Sequence, residues 1–432
     1  MPLPCRDWPK LMRVRSVIVL NDFCHVQGGA SRVAVDEAIS LRKHGLDVTF
    51  LGAVGPVSAE LMDADIRTVC LDQPELAEAA QRSRVVAQTL WNQKAYRAMQ
   101  TLLSENDPQH SIVHLHGYTK ALTTTPALAA SRADFPIICT LHDFFAACPN
   151  GAFFDYRRQA PCRLRGLSAS CVLTNCDKRH AAHKAYRVVR GVAQRRICRF
   201  PASVRDYITL SDQSAEILRP YLPKSARFHA LANIIDIPRA SPVDAGANQV
   251  FVVVGRLDPE KGVLLAAEAA ARADVPIVFV GDGPLRRDIE ATGARVTGWL
   301  SKDRVQEEIA QARCLVFPSL WYETYGLVVA EAAARGVPAI VSDVSAPAER
   351  IANGSSGWVF QSGNLDSLLH RMSLARDPIV ARAAGITAYR RYWADPSDRE
   401  RHAALLANIY DAVIARSERS VACNVALSMS RP

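Results

Sequence analysis

Two carboxylates, Glu323 and Glu331, stand in the run W-Y-E-T-Y-G-L-V-V-A-E-A-A-A-R-G-V-P, residues 321–338, which is otherwise almost wholly apolar. A carboxylate in such a run is costly to bury unless something hydrogen-bonds it. The run predicts a helix terminated by Gly336 with Pro338 just beyond. Apart from Arg335, the last residue before that glycine, no basic residue stands three or four positions from Glu331. Both acids therefore call for a partner from outside the protein. Ligands rich in hydroxyl groups bring several donors to a carboxylate, so a sugar at Glu323 and a ribose at Glu331 would satisfy both. The spacing alone recurs by chance. Its setting is what informs: Glu323 follows an apolar strand, and T-Y-G-L offers backbone N–H groups where the helix begins.

A second motif, V-G-R-L-D-P-E-K-G at 254–262, ends a strand, turns at a glycine and projects Arg256 and Lys261 before a helix. Cations at a strand's C-terminal end beside a helix N-terminus suit a phosphate group. Taken alone, the motif also fits an exposed basic loop. V-G-D-G-P-L at 280–285 is weaker still, because Gly-Asp-Gly is common turn chemistry.

The third constellation is cysteine-rich. Cys148, Cys162, Cys171 and Cys176 fall within 29 residues, and His180 and His183 follow at once. Four thiolates suit a structural zinc or an iron–sulfur cluster, although no C-x2-C pair is present. Disulfides, or buried thiols without a ligand, are the alternatives. The same region is basic: from Asp155 to Asp206, thirteen Lys and Arg stand against three Asp, in a chain whose total net charge is +9. Such a block suits an anionic partner. Residues 177–200 read as an amphipathic helix. Ala182, Ala185, Tyr186, Val189, Val192 and Ile197 lie near one face, and Lys178, His183, Lys184, Arg187, Arg190 and Arg195 lie largely opposite. A helix of that kind either packs with a solvated basic face or lies on an anionic membrane.

The elements that carry these residues alternate. Short apolar strands such as S-V-I-V-L, L-D-V-T-F-L and F-P-I-I-C-T-L-H are separated by helical stretches, which predicts parallel sheets covered on both faces. The rhythm breaks at 233–248, N-I-I-D-I-P-R-A-S-P-V-D-A-G-A-N, and restarts at Q-V-F-V-V-V-G. The expectation is an α/β protein with two doubly wound, Rossmann-like domains facing across a cleft. The first spans 13–232 with a Cys-rich basic insertion at about 148–200, and the second spans 233–395. A helix at 396–416 packs back on the first domain, and 417–432 form a disordered tail.

Composition fits a soluble globular protein: 432 residues, 49% apolar and 22% charged. No apolar run approaches the roughly 18 residues that span a membrane, and the N-terminus lacks the apolar core of a leader, so a cytoplasmic location is expected. The one D-x-D, Asp63 to Asp65, reads as solvated surface rather than a metal site. G-x-G-x-x-G is absent from the first strand–helix turn, which disfavours a dehydrogenase. The basic segment lacks interleaved aromatics, which disfavours a nucleic-acid partner.

In combination, G-R-L-D-P-E-K-G, V-G-D-G-P, F-P-S-x-x-Y-E-T-Y-G-L-V-V-A-E-A-A-A-R-G-V-P and I-V-S-D resemble the donor-binding half of a retaining GT-B glycosyltransferase of family 4. Q-G-G-A-S-R and T-L-H-D extend the resemblance into the first domain, over most of 15–410. The resemblance implies a nucleotide-diphosphate sugar donor (UDP- or GDP-linked), no catalytic metal, and a glycan or lipid-linked acceptor in cell-surface polysaccharide synthesis. The basic segment adds the expectation of peripheral contact with the inner face of the membrane. Arg256 and Lys261 would hold the diphosphate. Glu323 would bind the transferred sugar, the backbone at Tyr325, Gly326 and Leu327 the phosphate and sugar, and Glu331 the ribose. Gly28 and Gly29 would let the first-domain loop approach the phosphate. His142 would lie beside the reacting sugar, though a structural strand-end histidine is the plainer reading of that residue. Val344-Ser345-Ala346 departs from the glycines that many relatives carry there. A sugar-nucleotide epimerase of the same architecture and a non-catalytic protein binding anionic surfaces are the alternative readings.

Overall fold

The computed structural model describes residues 12–74, 87–88 and 90–429. Most of the N-terminal stretch judged for a leader therefore lies outside the described residues. The first parallel sheet opens with β1 (Ser16–Phe23), β2 (Asp47–Val54), β3 (Arg67–Cys70), β4 (Ser111–Leu115) and β5 (Ile137–Thr140). The chain then leaves the sheet and forms a short antiparallel ribbon, β6 (Phe154–Asp155) with β7 (Ala160–Pro161). It returns through β8 (Asp206–Thr209) and β9 (Arg227–Ala230), giving the order β3-β2-β1-β4-β5-β8-β9.

The second sheet holds β10 (Val250–Val254), β11 (Ile277–Val280), β12 (Arg295–Val296), β13 (Ala312–Phe317), β14 (Ala339–Ser342) and β15 (Gly357–Phe360). Its order is β12-β11-β10-β13-β14-β15. Strands such as V-F-V-V-V are apolar throughout because both faces are covered, and each sheet carries a separate core cluster on each face.

In both sheets the chain order reverses beside the first strand. β1 lies between β2 and β4, and β10 lies between β11 and β13. Loops leaving these neighbours diverge and open a crevice at the strands' C-terminal ends. The long helix Arg399–Met429 crosses back to the first domain, burying Leu406, Tyr410, Val413 and Ile414 with Val17, Val19 and Val35. Asp411 accepts the backbone N–H groups of Arg13 and Val14 at 3.0 and 2.8 Å. The helix runs on to Met429, into the stretch expected as a tail from residue 417, of which 430–432 lie outside the described residues. The extension holds no Gly or Pro, and it continues a helix already nucleated by packing.

Candidate functional site

The loop after β10 turns at Gly255 and presents Arg256, whose side chain is 53% exposed and lies 2.6 Å from Asp258. The loop ends at Gly262, in left-handed backbone with φ 67°, where an added Cβ would come within 2.0 Å of the Pro318 carbonyl. That close approach presses the loop after β10 against the loop after β13. Lys261 Nζ thereby reaches Glu323 Oε1 at 2.5 Å and lies 5.1 Å from the centre of the Trp321 ring. Ser319 Oγ donates to the same oxygen at 2.9 Å, and Trp321 Nε1 donates to it as well.

The expectation that Glu323 lacks a protein partner is therefore corrected. Its partner lies 62 positions away in sequence and is brought near only by the adjacency of β10 and β13. Glu323 Oε2 accepts no hydrogen bond among the described residues. Glu331 receives one bond, from Gln306 Nε2 at 3.0 Å. Burial raises its carboxyl, against the pull of Lys302 and the Gln306 bond. Its second oxygen is left without a donor among the described residues.

The helix Leu327–Arg335 starts at Gly326, in left-handed backbone with φ 73° and with no capping side chain. A Cβ at Gly326 would stand 2.4 Å from Pro347, so the turn admits only glycine. Its first N–H groups carry the positive end of the helix dipole. Tyr325 is buried, with Arg350 4.0 Å over its ring, and Arg350 also donates to the Tyr325 carbonyl. The departure at Val344-Ser345-Ala346 closes as a tight turn in which Ala346 N–H donates to the Glu323 carbonyl at 3.1 Å.

Across the crevice, Gly28 is extended, and an added Cβ would meet nothing within 4 Å. At Gly29 it would meet only Leu327, at 3.9 Å. Neither protein contacts nor backbone strain require glycine there, and the space beside both residues is clear. Thr324 Oγ1 donates to the His142 carbonyl at 2.9 Å, tying the second domain to the end of β5.

Burial brings the His142 imidazole down to about 4. Its Nε2 lies 2.9 Å from His116 Nδ1, and His116 Nε2 lies 3.3 Å from Glu37 Oε2. Glu37 Oε1 in turn lies 3.0 Å from His402 on the C-terminal helix. Among the described residues, Glu37, His114 and His116 are the one group with ligand atoms all within 4.8 Å of one another. His114 is already engaged at both nitrogens, by Tyr410 at 2.6 Å and Thr140 at 2.7 Å. The group therefore forms a hydrogen-bonded network behind His142.

Asp143 is a site residue that the sequence reading passed over. It lines a cleft cavity of about 330 Å³ together with Arg256, Trp321, Lys120, Lys178, Arg187 and Arg190. Burial raises its carboxyl to about 6, although Phe145 N–H and Arg190 oppose the shift. The available signal was its position in T-L-H-D, directly after His142. Gln306, which holds Glu331, was also missed, because it is 25 residues distant and on another helix.

The basic helix, Ala181–Arg196, is turned the opposite way from expectation. Val189, Val192 and Ile197 are exposed, while Lys184 and Arg190 are buried. Arg190 donates to Thr119 O at 2.8 Å and lies 4.8 Å over the Phe145 ring. Arg187 donates to Asn150 O at 3.2 Å, and Arg195 to Ala146 O at 3.3 Å. The loop beneath makes few ladder bonds, so its carbonyls need donors, and long cationic side chains supply them.

The four cysteines are free thiols. Cys171 and Cys176 both act electrostatically on Cys148 and on Cys162, which places all four in one neighbourhood. Asp63 and Asp65 lie on the surface at the end of a short helix, and Asp65 is paired with Arg42.

Two family models match consecutive stretches: Glycosyltransferase Family 4 over residues 27–239 and Glycosyl transferases group 1 over residues 236–389. A GDP-mannose-dependent alpha-mannosyltransferase of Corynebacterium glutamicum is 33% identical over 31% of this chain and 32% of its own. An exopolysaccharide phosphotransferase of Streptomyces coelicolor is 31% identical over 48% of this chain and 23% of its own. The chain thus spans about a quarter to a third of these relatives' length. Sucrose-phosphate synthase of Thermosynechococcus elongatus shares the fold with a TM-score of 0.65 at 18% identity, covering 93% of this chain and 100% of that one. Anabaena HepE in complex with UDP does so with a TM-score of 0.61 at 16% identity, covering 92% and 100%.

Proposed function

The chain belongs to the group 1, family 4 glycosyltransferases, and on that premise we propose that it moves a sugar from a UDP- or GDP-sugar to a glycan or lipid-linked acceptor, with retention at the anomeric carbon. The observation that carries this reading is one convergence. Lys261 meets Glu323, Arg256 shares a cavity with the neighbouring Trp321, and the open Gly28–Gly29 turn faces the uncapped helix start at Gly326–Leu327.

In the reaction, the bond between the anomeric carbon and the diphosphate oxygen breaks, and its electron pair stays on the oxygen. Arg256, Lys261 and the helix N-terminus stabilise that growing charge. No divalent cation is assigned a part in this. Glu323 is anchored through Oε1, which leaves Oε2 for a sugar hydroxyl, and the unpaired oxygen of Glu331 takes the ribose. His142, neutral at pH 7, lies beside the sugar. The acceptor hydroxyl oxygen bonds the carbon on the face that the diphosphate leaves, and its proton passes to the departing diphosphate oxygen.

The acceptor is assigned to cell-surface polysaccharide synthesis at the cytoplasmic face of the membrane. There, the outward residues Val189, Val192 and Ile197 would meet lipid; no helix among the described residues is long and apolar enough to cross a membrane. Calorimetry with UDP and GDP tests the donor site. One nucleotide should bind the wild type, and Lys261→Ala should weaken it at least tenfold; absence of binding by the folded wild type would overturn the reading.

A further inference from the structure

We propose that Cys148, Cys162, Cys171 and Cys176 bind one zinc ion that holds the insertion together, with the buried Lys184 ammonium as its counter-charge. The four residues come from separate pieces of chain. Cys148 lies in the turns after β5, Cys162 directly after β7, Cys171 in the short helix Ala169–Leu173 and Cys176 in the stretch that follows it. Two polar side chains already join three of the sulfurs. Asn150 accepts from Cys148 Sγ at 3.0 Å and donates to Cys176 Sγ at 3.4 Å. Lys184 Nζ donates to Cys176 Sγ at 3.2 Å and to Cys171 Sγ at 3.7 Å.

Lys184 is the informative residue. It is 3% exposed, its hydrogen bonds go only to those two sulfurs, and no carboxylate pairs with it among the described residues. A buried ammonium needs negative charge beside it. Neutral thiols supply none; thiolates do, and four of them on one zinc ion carry two net negative charges.

The module also needs a staple. Its regular structure between Cys148 and Cys176 is one ribbon of two-residue strands and one five-residue helix. So little secondary structure cannot bury a core of its own.

No three of the four sulfurs lie all within 4.8 Å of one another in this structure, and Lys184 Nζ bridges Cys171 and Cys176. Zinc would draw them to about 2.3 Å from a common centre. The Lys184 side chain, with its rotatable stem, would swing aside while remaining in contact with the thiolate group.

The test uses the full chain, purified and washed with a weak chelator. Elemental analysis should find about one zinc per chain, released as a mercurial titrates about four thiols. The Cys171→Ser/Cys176→Ser variant should lose the zinc. Lys184→Met should retain it but release it to a chromogenic chelator several-fold faster. Iron in place of zinc, disulfides among these cysteines, or four freely titrating thiols in metal-free folded wild type would each overturn the proposal. The wild-type stoichiometry decides the matter even if the variants fail to fold, and it is independent of the donor-site reading.

Discussion

The second domain and the insertion at 148–200 obey opposite rules for the same kinds of side chain. In the second domain, apolar residues face inward along every strand, and the cations Arg256 and Lys261 sit on loops at the crevice. In the insertion, a helix turns Val189 and Val192 to solvent and buries Lys184 and Arg190. The difference lies in the backbone. A parallel sheet consumes its own N–H and C=O groups in ladders, so inward side chains meet only apolar neighbours. The insertion has almost no ladder, so inward side chains meet carbonyls and sulfurs, and donors are selected.

The largest effect that tests this contrast falls in the second domain. Lys261→Ala removes a preorganised cation and leaves Glu323 without its counter-charge, so steady-state transfer should fall about 100-fold or more, with little change in folding. Next comes the insertion. Arg190→Ala should cost about 2–3 kcal/mol in urea unfolding, because it strands the Thr119 carbonyl. Val189→Ala should stay within about 0.5 kcal/mol. If the order were reversed, the helix would be turned as its hydrophobicity predicts. Glu331→Gln should then weaken nucleotide binding about tenfold in calorimetry, the scale of one charge-assisted bond.

A pair of effects that largely cancel in the wild type joins the two regions at His142–Asp143. The lowered His142 imidazole, at about 4, binds fewer protons folded than unfolded, so its contribution to stability rises with pH from about 4 to 6.5. The raised Asp143 carboxyl, at about 6, binds more protons folded than unfolded, so its contribution falls with pH from about 4 to 6. Denaturation across this window should show the two slopes opposing each other. Relative to wild type, Asp143→Asn should gain stability as pH rises to 6, and His142→Gln should lose it.

Much of the second domain was legible beforehand, because its residues act through local pattern. Strand runs, glycine turns and the helix stop at Gly336 all read directly from spacing. The uncapped start of the same helix likewise follows from T-Y-G-L. The partners of the two acids were not legible. Lys261 reaches Glu323, and Gln306 reaches Glu331, only because of strand order and helix packing that no local spacing records. The orientation of the basic helix was misread because the amphipathic rule presumes an apolar environment. Asp143 stood beside a residue already singled out, yet its raised carboxyl depends on burial, which only the packed fold supplies.

The amino-acid sequence by itself determined two doubly wound domains and the loops that carry cations and carboxylates, since hydrophobic period and glycine placement are properties of neighbouring residues. The tertiary structure alone decided which charge meets which. It paired Lys261 with Glu323, tied His142 through His116 to Glu37, and turned Lys184 inward onto sulfur. Electrostatic and hydrogen-bond partners are chosen by distances of a few ångströms in space, and those distances exist only once the sheets have closed and the helices have packed.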